Sequence, residues 1–86
     1  PAGLVHLDME FQMGPNPASQ SILLSASAPI ERILVMNSTG AVVLQRTSMR
    51  SAFELNLEGV SAGVYVIKCY IGEEWVTRRM VVSQVR

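Results

Sequence analysis

The apolar residues of this chain recur with a period of two. From Leu4 to Met13, the residues Val5, Leu7, Met9, Phe11 and Met13 alternate with His6, Asp8, Glu10 and Gln12. Successive strand side chains point to opposite faces, so the stretch reads as a half-buried strand. A helix would bring Asp8 and Phe11 to nearly the same side. Gly14-Pro15-Asn16-Pro17 ends it, because each proline removes a ladder donor and fixes φ. Ser21 to Ala28 repeats the pattern with Ile22, Leu24 and Ala26 on one face, and Pro29 is expected to stop it. Ile30 to Asn37 turns Ile33 and Val35 inward and Arg32 outward, with Leu34 and Met36 on the outer side. Ser38-Thr39-Gly40 makes a hairpin turn, in which Gly40 supplies the positive φ, and Ala41 to Arg46 returns.

Thr47 to Ser51 is polar and reads as a loop. Phe53, Leu55 and Leu57 alternate through the next strand, and Glu58 to Gly63 is a glycine-flanked turn. Gly63 to Ile71 is apolar on both faces, with Tyr65, Ile67, Cys69 and Ile71 against Val64, Val66, Lys68 and Tyr70. That pattern places it in the middle of a sheet. Gly72-Glu73-Glu74 is a tight turn, and Trp75 to Val82 is the last strand. About seven short strands with regular turn signals predict an all-β fold, an immunoglobulin-like antiparallel β-sandwich.

At 86 residues the chain is expected to be one domain, spanning 1–86. With 49% apolar and 16% charged residues it is too apolar for intrinsic disorder. Seven basic and seven acidic residues cancel, which argues against an electrostatic nucleic-acid binder or a polybasic membrane-surface module. No apolar run exceeds four residues, far short of a bilayer span. The chain starts at Pro1 without a signal-peptide pattern and reads as a piece of a longer protein.

No catalytic constellation is visible, and no enzyme activity, cofactor or metal is expected. His6 has Asp8 on the same strand face, but no nucleophile motif stands beside them, and a solvated strand face explains both. Cys69 lies mid-strand among apolar residues, where a cysteine packs as a small hydrophobe. As the single cysteine it forms no internal disulfide, so packing must hold the domain together. Asp8 with Glu10 is too few oxygens for Ca²⁺. Glu73-Glu74 is a solubilising tip, and the isolated turn glycines Gly40, Gly63 and Gly72 make no phosphate cradle. Arg46, Arg50, Arg78, Arg79 and Arg86 are the one charge pattern of interest. Arg78 and Arg79 are adjacent on the last strand and therefore face opposite ways.

Several segments together resemble a known family. Pro15-Asn16-Pro17-Ala18-Ser19 follows the first strand, and Gly40 opens Ala41-Val42-Val43-Leu44. Leu55-Asn56-Leu57 precedes Ala62-Gly63-Val64-Tyr65-Val66-Ile67-Lys68, and Thr77-Arg78-Arg79-Met80-Val81-Val82 closes the chain. This order resembles the C-terminal sorting domains of proteins exported by the type IX secretion system of Bacteroidetes, over about residues 9–82. Met13-Gly14 stands where the family usually has an aromatic residue, and Asn37 where it has Asp. Arg replaces the common Lys in the closing strand, and Ser83 to Arg86 trail beyond it. The resemblance marks Pro15, Asn16, Pro17, Gly40, Gly63 and Tyr65 as structural motif positions.

The function the resemblance implies is that of a sorting signal. The parent protein passes through the periplasm and reaches the cell surface, and the domain is recognised by the translocon and a sortase-like surface protease. Recognition is expected through the edge of the last strand, at Arg78, Arg79, Met80, Val81 and Val82. An exposed edge also allows a homodimer when the domain is isolated. The alternative is an immunoglobulin-like structural or glycan-binding accessory domain, with Trp75 as its aromatic platform.

Overall fold

The computed structural model describes residues 10–83. They form one antiparallel sheet of five strands: β1 (Phe11–Gly14), β2 (Ser21–Met36), β3 (Val42–Asn56), β4 (Gly63–Ile71) and β5 (Glu74–Val82). Residues 4–9 of the first expected strand, with His6 and Asp8, lie outside the described residues, as do Arg86 and the rest of 84–86.

Pairing of β2 explains why five strands stand where about seven were expected. Along one side β2 pairs with β3, and along the other it pairs first with β1 and then with β4. Pro29 was expected to end a strand. Instead it sits at an interruption of the ladder between Ser25 and Ile30, where a missing amide donor is tolerated. The segment Thr47–Ser51, expected as a loop, is continuous strand inside β3. Its polarity reflects exposure on both faces rather than a turn.

A second irregularity, between Ile30 and Arg32, changes which residues face the core. Before it the even-numbered Ile22, Leu24 and Ile30 are buried; after it the odd-numbered Ile33 and Val35 are. The sheet curls, and the inner faces of its two halves share one apolar cluster. Ile22, Leu24, Leu55 and Leu57 contribute from one half, and Ile33, Ile67, Cys69 and Met80 from the other. Burying each such side chain stabilises the fold by roughly 1.5–3 kcal/mol.

Local chemistry sets the turns. The Asn37 side-chain oxygen accepts from the Thr39 amide at 3.1 Å, the Thr39 hydroxyl at 2.7 Å and the Ala41 amide at 3.0 Å. Gly40 closes that turn at φ 90°, a region that favours glycine. Asn37 thus supplies the acceptor oxygen that the turn requires. Tyr65 donates its hydroxyl to the Ser61 carbonyl at 2.7 Å. This ties the entry of β4 to the turn before it, the arrangement known in β-sandwiches as a tyrosine corner.

The β4–β5 turn holds Gly72 at φ 56° and Glu73 at φ 68°. A side chain in this left-handed region costs on the order of 1 kcal/mol, and asparagine and glycine tolerate it best. Glu73→Asn is therefore expected to stabilise the domain by about 0.5–1 kcal/mol, raising the thermal midpoint by several degrees. An unchanged or lower midpoint would count against this turn geometry.

Candidate functional site

The last strand is the element that the motifs single out. β5 pairs with β4 from Gly63↔Val82 to Ile71↔Glu74, and its far side is an edge of the sheet. The Pro-Asn-Pro-Ala segment closes one end of that edge. Asn16 donates its side-chain amide to the Arg79 carbonyl at 3.3 Å, and its side-chain oxygen accepts from the Val81 amide at 3.0 Å. Ala18 continues the seal: its amide donates to the Val81 carbonyl at 2.8 Å, and its carbonyl accepts from the Ser83 amide at 2.7 Å. The Asn16 side chain thus imitates one backbone unit of a neighbouring strand.

Both X–Pro bonds of this segment, Gly14–Pro15 and Asn16–Pro17, are cis. The buried Ala18 side chain anchors the loop in the core. By the alternation of a strand, the backbone of Trp75 and Thr77 faces the same outer side as that of Arg79 and Val81. There, among the described residues, no strand covers it.

The expected recognition residues divide between two faces. Met80 and Val82 are buried in the core, so their side chains hold the strand in place and present nothing to a partner. Arg78 shares their inner side and caps the core margin, its guanidinium 5.4 Å from the centre of the Phe11 ring. An inward-pointing charge on an edge strand disfavours edge-to-edge stacking of sheets. Arg79 and Val81 lie on the outer face.

That outer face is a platform across β2, β4 and β5. Register places Arg32, Tyr70 and Trp75 in one row, and Leu34, Lys68 and Thr77 in the next. Met36, Val66 and Arg79 form a third row, and Val64 pairs with Val81 beyond it. The Tyr70 and Trp75 rings lie 5.0 Å apart at 51°, and the Lys68 ammonium sits 5.5 Å from the Trp75 ring centre. Trp75 is thus half-exposed and already in contact with a cation, a favourable ring–charge interaction.

Cys69 is fully buried on the inner side of β4. Burial pushes its thiol from 9.0 up to about 11, against a smaller opposing pull from Arg78. The folded domain holds this proton more tightly than the unfolded chain does. Its contribution to stability is therefore complete below pH 9 and is lost as the pH rises through about 11. Cys69→Ala is expected to flatten the decline in stability over that window, measured by urea unfolding at stepped pH. The wild-type thiol is expected to resist alkylation at neutral pH until the domain unfolds. Rapid alkylation of the native protein would refute this placement.

Among the described residues no group of three or more His, Cys, Asp or Glu side chains is placed to hold a metal ion. Sequence reasoning missed the role of Asn16 as the seal of β5. The available signal was a short amide side chain held between two prolines, a residue type that readily imitates backbone.

Comparison with known proteins agrees with this architecture. The family model for the secretion system C-terminal sorting domain matches residues 12–83. Among curated proteins no sequence matches. Among solved structures the chain is similar to PorZ of Porphyromonas gingivalis, described as an essential bacterial surface component of the type IX secretion system. The identity is 20%, the TM-score 0.69 and the coverage 86% of this chain. At that identity the likeness speaks for the fold, and the chain spans 11% of the length of PorZ. A match over most of the residues, an all-β curled sheet and a Pro-Asn-Pro-Ala loop bonded to the closing strand have one reading: the chain belongs to the C-terminal sorting domains of type IX secretion.

Proposed function

We propose that this domain is the export signal of its parent protein, read as a folded object by the translocon and a sortase-like surface protease after transit through the periplasm. The domain does no catalysis in this reading; whatever activity the parent protein has belongs to the rest of that protein. The observation that carries the reading is the state of β5. The family's own motif covers its edge at Arg79–Ser83 and leaves Trp75–Thr77 without a strand partner, the Thr77 carbonyl accepting only from the neighbouring Arg78 guanidinium at 3.0 Å, so strand addition, a common mode of peptide recognition, has only that local bond to displace. At high concentration the same open stretch pairs with a second copy of the domain.

The test is a fusion of residues 1–86 to the C-terminus of a periplasmic fluorescent reporter in a type IX-competent bacterium. Arrival at the surface is expected, and the final mass of the reporter shows whether the domain is removed. Retention of a folded fusion in the periplasm would sink the proposal. If glycans also shifted Trp75 fluorescence, the accessory-domain reading would replace it. Thr77→Pro probes the edge itself. It removes an outward amide without touching the β4 ladder, so surface arrival and self-association should both fall while the thermal midpoint stays nearly unchanged. Normal export of this variant would exclude strand addition at β5.

A further inference from the structure

The seal on β5 is graded along the strand. At its far end Ala18 uses its backbone, donating to the Val81 carbonyl at 2.8 Å and accepting from the Ser83 amide at 2.7 Å. This is the pattern of a parallel pair, in which one residue bridges the two that flank its neighbour. Two residues earlier the Asn16 side chain repeats the pattern around Met80 with longer bonds, 3.0 Å to the Val81 amide and 3.3 Å to the Arg79 carbonyl. The bonds lengthen towards the open stretch, and the last lies just beyond the usual N–H···O range. Anchorage follows the same gradient. Ala18 is buried in the core, whereas Asn16 is exposed and both its bonds are open to water. Pro15 and Pro17 have no amide to offer, so the loop cannot add to these bonds from either side of Asn16.

From this gradient we infer that Asn16 holds the edge shut until it is displaced, and that Ala18 is a fixed stop. A partner's extended strand seats at Trp75–Thr77 and then replaces the Asn16 side chain along β5 as far as the Val81 amide. The inference rests on strand addition at β5 and adds its regulation and its extent. Exchanging the Asn16 bonds for backbone bonds leaves no group of β5 unpaired, so the exchange is close to balanced. Displacing Ala18 would take a buried side chain out of the core, so the added strand ends there. Asn16 also keeps the edge from collecting strands at random, since a passing segment must hold the short open stretch before it gains the rest.

The test uses the folded 86-residue chain and a synthetic peptide with the sequence of Trp75–Val82 as the strand donor. Amide resonances are followed during titration. The Arg79 amide faces the same edge as its carbonyl and should become protected from exchange. The Asn16 side-chain amide should move to its solvent-exposed position, while the Ala18 and Ser83 amides keep their protection. Asn16→Ala should bind the peptide about ten-fold more tightly, because the competing bonds are gone, and Thr77→Pro should lose it. In cells exporting the reporter fusion, Asn16→Ala should reach the surface at least as fast as wild type despite its lower stability. Asn37→Ala, which is destabilised at the β2–β3 turn, should arrive more slowly.

Peptide binding that leaves the Asn16 side-chain amide in place would overturn the inference and leave strand addition standing. So would equal affinity for Asn16→Ala and wild type. Lost protection at Ala18 would remove the stop. If Asn16→Ala fails to fold, the Asn16 signal of the wild type decides alone. A peptide that binds neither protein would defeat strand addition at β5, and the inference with it.

Discussion

Met80→Ala is expected to lower the stability of this domain by about 3 kcal/mol, the middle of the range for emptying a fully buried methionine site. Met80 is 0% exposed, pairs with Tyr65 across the ladder and belongs to the central cluster. In a small domain such a loss is a large part of the total. The unfolded fraction should become measurable at growth temperature, and surface arrival of a fused reporter should fall with it. Met80→Leu preserves volume and should cost less than about 1.5 kcal/mol, restoring export. The measurement is the urea midpoint of both variants beside their export yield. Equal midpoints for Met80→Ala and wild type would contradict the placement of β5 against the core. Deleting residues 80–86 would be still more severe, since it removes Met80 and Val82 from the core together. Such a deletion tests folding, whereas Thr77→Pro tests the recognition edge with the core intact.

Asn16→Ala should cost about 2 kcal/mol. It removes hydrogen bonds at the Arg79 carbonyl and the Val81 amide and leaves the edge of β5 open further along its length, at about 1 kcal/mol per bond. The Val81 amide, sealed in the wild type, should exchange with solvent markedly faster. Asn16→Asp separates the two bonds. Its carboxylate still accepts from Val81 and should keep that amide protected, but it opposes the Arg79 carbonyl, so stability should still fall. Self-association should rise in Asn16→Ala through the newly opened edge and rise less in Asn16→Asp, whose charge disfavours strand pairing. Unchanged Val81 exchange in Asn16→Ala would mean that the side chain does not seal the strand.

Much of the local structure was legible from residue types. The inward sets Ile22 with Leu24, Ile33 with Val35, and Tyr65 with Ile67, Cys69 and Ile71 all lie in the core as alternation implies. The hairpin at Gly40, the tight turn at Gly72 and the central position of β4 between β2 and β5 also follow from local chemistry. Opposite faces for Arg78 and Arg79 follow from the same alternation. Strand number was not legible. Pro29 and the polar run Thr47–Ser51 look like breaks to any local rule, yet both are absorbed into long strands, because partners elsewhere in the sheet tolerate a bulge at the one and solvent on both faces of the other.

The candidate site divides along the same line. The order of motifs, from Pro15-Asn16-Pro17 through Gly63 and Tyr65 to the arginines of the last strand, was enough to indicate the family. That Met80 and Val82 are anchors and not contacts depended on which side of β5 meets the core. The bonds from Asn16 to Arg79 and Val81 span 63 and 65 residues of sequence, and no nearby residue announces them. The gathering of Arg32, Lys68 and Arg79 on one platform required the register of three strands. By itself the sequence determined the strand period, the inward residues, the turns and the family, because these depend on chemistry between near neighbours. Strand continuity, the seal on β5 and the make-up of the outer face were decided by tertiary structure alone. Each depends on pairing between distant segments, where one bulge changes which side chains share a face.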